Sequence, residues 1–174
     1  PDRTVDTYTK ILKKLYPHTP VVVGGIEASL RRLTHYDYWS DKLQRSILAT
    51  SGADLLVYGM GDKPIREVAK ALRNGFNMKL LRGLRQVGFM ADGEYVQKLY
   101  NGKTIVLNSF EECEADKRKF GQNFKEIEIV SNMMECETAL VERVDDSSTV
   151  ITPPHATLTS EELDHSFDLP YERA

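Results

Sequence analysis

Apolar residues recur at three- and four-residue steps through Val5, Tyr8, Ile11, Leu12 and Leu15, which predicts one face of a first helix that Pro17 ends. The next apolar block differs in kind. Residues 21–23 are an unbroken run of valines, the pattern of a buried strand, and they stop at Gly24-Gly25. A helical pattern resumes over residues 26–33, and Leu43, Ile47 and Leu48 predict a second main helix ending near Ser51-Gly52. Residues 54–58 form another short apolar strand. Strand, helix, strand at this spacing predicts a parallel βαβ unit. Gly59-Met60-Gly61 follows, and Asp62 is expected to cap a helix whose Ile65, Val68, Ala69 and Leu72 face the sheet before Asn74-Gly75 ends it.

Beyond Gly75 the pattern predicts strands at residues 86–90 and 103–107, with a turn at Asp92-Gly93 between them. Ser109 with Glu112 makes a capping box for a helix bent at Gly121, with Phe120, Phe124, Ile127, Val130 and Met134 as its apolar stripe. Residues 139–144 and 149–152, joined by Asp-Asp-Ser-Ser, read as an antiparallel hairpin. Pro153-Pro154 then opens a linker. Thr159 and Glu162 form a second capping box, so residues 160–167 should be a short helix with Leu163 and Phe167 on one side, and residues 169–171 extended. The fold class is α/β: a partial Rossmann-like parallel sheet with flanking helices, an antiparallel hairpin and a linker-helix tail. Residues 1–110 form the α/β part, 111–152 the helix and hairpin that complete the domain, and 153–174 the tail.

Charge divides the chain in the same place. Residues 1–110 hold 17 Lys or Arg against 10 Asp or Glu, while residues 111–174 hold 6 against 16, so an overall charge of -3 hides a basic body and an acidic tail. Such a tail is expected to dock on the body or on another domain. No basic patch interleaved with aromatics occurs, so nucleic acid is not indicated. The longest apolar runs are a few residues, well short of the ~20 needed to cross a bilayer, and no charged start with an apolar core suggests a signal peptide. The expectation is a cytoplasmic protein without membrane contact.

Candidate chemistry concentrates at the two glycine turns and between them. Ligands of open parallel sheets sit outside the carboxyl ends of the strands, which nominates Gly24, Gly25, Gly59 and Gly61 as a pocket floor; close packing against a neighbouring domain explains them equally. Gly-x-Gly before a helix is an incomplete dinucleotide fingerprint, since Pro64 occupies the third glycine position, and no phosphate-binding Lys-Ser/Thr pair follows. Glu27 would repel an anion at the first helix start after Gly-Gly. Arg31 and Arg32 are candidate anion contacts. His35-Tyr36-Asp37-Tyr38-Trp39 carries large burial energies, roughly 1.5 to 3 kcal/mol per aromatic, so it is expected to be pinned to the body. Two readings stand: a buried corner bonded to backbone, or a pocket wall in which Asp37 orients His35 as a catalytic pair.

These residues also carry a resemblance. GGIEASLRRLTHYDYWSDKLQRSIL, followed by ADLLVYGMGDKPIREVAKAL, resembles the YgiQ family of bacterial radical S-adenosylmethionine (SAM) proteins, and PPHATLTSEELDHSFDLPYER resembles the segment just ahead of that family's core. Family proteins are much longer, so the chain is expected to be an internal piece. The resemblance implies a 4Fe-4S cluster and S-adenosylmethionine in the full-length protein, whose reductive cleavage yields a 5′-deoxyadenosyl radical. It also implies a downstream radical-SAM domain as partner, an unassigned small-molecule or macromolecular substrate, and a cobalamin-binding-like fold. A radical-SAM cluster needs a CxxxCxxC triplet, and this chain has only Cys113 and Cys136, so no cluster is expected to bind here. Both cysteines read as inert buried thiols, and a lower-axial cobalamin motif, Asp-x-His-x-x-Gly, is absent. His155 and His165 read as solvated surface groups. Besides the accessory segment of a radical-SAM enzyme, the residues fit a nucleotide- or corrin-binding module without chemistry of its own, or a structural interaction domain.

Overall fold

The computed structural model describes residues 3–92, 103–170 and 172. Along the chain run α1 (Thr4–Leu15), β1 (Val22–Val23), α2 (Gly25–Leu30), β2 (His35–Asp37), β3 (Lys42–Gln44), α3 (Ile47–Ser51), β4 (Leu55–Val57), α4 (Asp62–Arg73), α5 (Met78–Leu81) and β5 (Val87–Asp92). Then come β6 (Lys103–Val106), α6 (Phe110–Ala115), α7 (Lys117–Ser131), β7 (Thr138–Val144), β8 (Ser147–Ile151) and α8 (Ser160–Phe167). The turn expected at Asp92-Gly93 and the extended end at Tyr171 fall on residues outside those described.

Six strands form one mixed sheet in the order β1-β4-β5-β8-β7-β6, flanked by helices, and β2 with β3 forms a separate antiparallel ribbon. β1 and β4 pair in parallel, as do β6 and β7, whereas β4-β5, β5-β8 and β8-β7 are antiparallel. The predicted βαβ unit is therefore present, with the ribbon inserted in its crossover. Leu55, Leu56 and Val57 are all buried because both faces of β4 are covered. Alternate residues of β4 and β5, Leu55, Val57, Val87, Phe89 and Ala91, meet Val68 of α4 and Leu81 of α5. Leu56 turns to the other face, against Ala28 of α2 and Ile47 and Leu48 of α3, and further along that face Leu140 and Ile151 pack on Val130 of α7. Each fully buried aliphatic or aromatic side chain there contributes about 1.5–3 kcal/mol.

Both capping boxes are formed, Ser109 with Glu112 and Thr159 with Glu162. Several helix expectations are corrected. Leu43 lies in β3, paired with Tyr36, and α3 begins only at Ile47 because the Ser46 hydroxyl caps it by accepting from the Ala49 amide at 3.3 Å. The helix expected to bend at Gly121 instead breaks at Asp116, whose extended backbone ends α6 and whose carboxylate accepts from the Arg118 amide to start α7. Phe124 and Met134 of its expected stripe are exposed, and Asn123 is buried on hydrogen bonds to Asn108. α4 starts after Gly61, not on an Asp62 cap, and buries Pro64 and Val68 while Ile65 and Ala69 face outward. On α1 the inward residue is Thr9, and Tyr8, Ile11, Leu12 and Leu15 are exposed.

Candidate functional site

The four nominated glycines line one cleft of about 380 Å³ at the carboxyl ends of β1 and β4, with Val57, Asp62 and Ile65. Two of them need left-handed backbone, Gly25 at φ 81° and Gly59 at φ 66°, which a side chain would strain. The other two are held close to β4: a Cβ on Gly24 would stand 3.2 Å from the Val57 carbonyl oxygen, and one on Gly61 3.2 Å from Val57 Cγ1. The 59–61 turn is clamped from the next strand. Gln86 is buried at φ 61°, and its Nε2 donates to the Tyr58 and Met60 carbonyls, 2.7 Å each, while its Oε1 accepts from the His155 amide at 3.1 Å. Asp62 on the cleft wall opposes a phosphate at the start of α4.

Gly59 is shared with a second cavity of about 240 Å³, lined by Arg32, Tyr58, Val130, Thr138, Leu140 and Ile151 among others. Arg32 lies half-buried over the Tyr58 ring, 5.4 Å from its centroid. The guanidinium donates to the Ser29 carbonyl at 2.6 Å and reaches Ser131 Oγ at 3.5 Å, while its buried Nε has no hydrogen-bond partner. Burial lowers its pKa below the ordinary arginine value. Its neighbour Arg31 goes elsewhere. That side chain pairs with Glu27 at 2.9 Å, one helical turn back, and lines a polar cavity of about 110 Å³ with Arg3, Lys10, His35 and Arg45.

His35 and Asp37 stand on β2 with different partners. His35 Nδ1 hydrogen-bonds the Leu33 carbonyl at 3.2 Å, and burial lowers its pKa, which keeps the ring neutral at pH 7. Asp37, 4% exposed, accepts from Ser40 and from Arg3 of the α1 start, each at 2.5 Å, and the Ser40 hydroxyl foremost holds its carboxyl below the usual range. The structure thus brings His35 beside Arg31 and sets both apart from the glycine cleft. The segment expected to be pinned projects instead: strand alternation turns Asp37 inward and Tyr36 outward, and Tyr38 and Trp39, ring centroids 4.4 Å apart, are 65% and 72% exposed at the ribbon tip.

Among the described residues no three His, Cys, Asp or Glu side chains are grouped to hold a metal. Cys113 and Cys136 are free and buried, and burial pushes the Cys113 thiol up to about 11, so Cys113 is not a ready thiolate ligand. The residues present do not fit a cluster. His155, expected in solvent, is instead 16% exposed, with Nε2 3.3 Å from Glu67. Tyr58 and Gln86 escaped the sequence reading. Tyr58 directly follows β4 and its hydroxyl donates to the Thr152 carbonyl at 2.6 Å, and the only sequence signal for Gln86 is a polar residue just before an apolar strand.

Comparison with known proteins adds the lineage. The family model described as radical SAM N-terminal matches residues 1–174. The chain is 49% identical to a UPF0313 protein of Porphyromonas gingivalis, over 99% of this chain and 27% of that protein. It is 46% identical to one of Bacteroides thetaiotaomicron, over 95% and 28%, and 38% identical to one of Geobacter sulfurreducens, over 100% and 28%. The chain spans about a quarter of the length of these relatives. No solved structure matches it. No helix among the described residues is long and apolar enough to cross a membrane.

Proposed function

This chain belongs to the radical SAM N-terminal family, and from that membership we propose that it is the accessory domain of a longer cytoplasmic radical S-adenosylmethionine enzyme of the YgiQ type. The match over all 174 residues carries the reading. Family membership implies a 4Fe-4S cluster and S-adenosylmethionine in the full protein, and in this reading the cluster thiolates come from outside the segment, whose own thiols are two, buried and separate. The segment's contribution is a ligand-facing edge: the glycine-floored cleft at the carboxyl ends of β1 and β4, where α/β sheets bind their ligands, and the Arg32 cavity that shares Gly59 with it. The downstream core of the same polypeptide covers the apolar side of α8, where Leu163 and Phe167 lie open.

The test is made on the full-length protein purified without oxygen. Given a one-electron reductant and S-adenosylmethionine, it should contain an iron-sulfur cluster and release 5′-deoxyadenosine. A protein that holds no iron and forms no 5′-deoxyadenosine would overturn the reading.

A further inference from the structure

We propose that the cavity beside Arg32 is a binding site for a small organic carboxylate with a flat or apolar body. Arg3, Arg31, Arg45 and Arg85 each pair with a carboxylate, whereas Arg32, half-buried and desolvated, makes no ion pair among the described residues. Glu128 on α7 adds a favourable field that is smaller than the effect of burial. Its Nε is buried without a partner and its Nη2 makes only a long 3.5 Å contact with Ser131 Oγ, so the guanidinium fork has capacity left for a carboxylate, whose planar geometry it matches.

The walls choose the rest of the ligand. Val130, Leu140 and Ile151 and the Tyr58 ring offer apolar contact, and Thr138 adds a hydroxyl. About 240 Å³ lies below the usual 300–1,000 Å³ of drug-sized pockets, so the occupant is a compact acid and smaller than a corrin. The inference rests on the reading of this segment as a ligand-facing accessory domain. Its test uses neither iron nor S-adenosylmethionine, so the two fail separately.

The probes are sodium benzoate and inorganic phosphate, titrated calorimetrically into the full-length protein. Benzoate should bind, and phosphate, which leaves the apolar walls empty, should bind more weakly. Arg32→Gln should weaken benzoate by about tenfold or more, the scale of a charge-assisted hydrogen bond, while Arg31→Gln, whose charge answers Glu27, should change it by less than about twofold. Absent benzoate binding, tighter binding of phosphate, or equal benzoate affinity in Arg32→Gln would each overturn the proposal. Thermal melting gives an independent arm. Arg32→Met should melt no lower than the parent protein, since it removes an unpaired charge from a partly apolar site; a lower midpoint would make Arg32 a structural residue and overturn the site.

Discussion

Glu142 shows how far a single side chain can be set by its surroundings. It is 1% exposed on β7 and accepts the Thr34 amide at 2.8 Å, yet burial outweighs that bond and pushes its carboxyl up to about 7. With an ordinary value of 4.5 in the unfolded chain, the folded state holds the extra proton between about pH 4.5 and 7. The protonated group's contribution is therefore complete below pH 4.5 and lost as pH rises through 7, on the order of 3 kcal/mol in total. Glu142→Gln, neutral throughout and still able to accept from Thr34, should gain on the parent protein across that window and level off above it in urea melts. A stability difference that does not change with pH would contradict the assignment. Residue type alone did not reveal Glu142. The glycines were legible because their need for positive φ or close approach is a backbone property, whereas Arg31 and Arg32 are chemically identical neighbours sorted only by Glu27, one helical turn from Arg31.

At the scale of elements, short-range chemistry was readable and partner choice was not. Both capping boxes and the β7-β8 hairpin follow from residues a few positions apart. The β2-β3 ribbon does not, because what fixes it lies elsewhere: Asp37 is held by Ser40 at the tip and by Arg3, 34 positions back. Asp37→Asn should weaken both bonds, lower global stability by about 1–2 kcal/mol, given that Arg3 is partly exposed, and speed amide exchange over residues 35–44. Unchanged exchange there would show that the ribbon stands without Asp37. The α1 stripe has the same lesson. Its three- and four-residue steps correctly gave a helix, but periodicity does not say which side is covered, and the covered side carries Thr9.

For the molecule as a whole, the charge division has a structural counterpart. α4 presents Lys63, Arg66, Lys70 and Arg73 along one groove, and the acidic α8 reaches it through Glu162, 2.8 Å from Lys63. The tail is also tied where it leaves the sheet: Arg85 donates to the Pro154 carbonyl at 2.9 Å, and Gln86 holds His155. The tethered tail and the glycine-floored edge are the features on which the proposed accessory role rests. The α/β class and the parallel βαβ unit were legible from apolar runs and glycine turns, while the antiparallel joining of the two parallel pairs depended on long-range register. The most direct measurement is iron content and 5′-deoxyadenosine yield of the full-length protein with and without Cys113→Ala and Cys136→Ala. The account predicts a cluster and product in both, at equal iron per chain; loss of iron on replacing the two thiols, or no cluster in the parent protein, would contradict it.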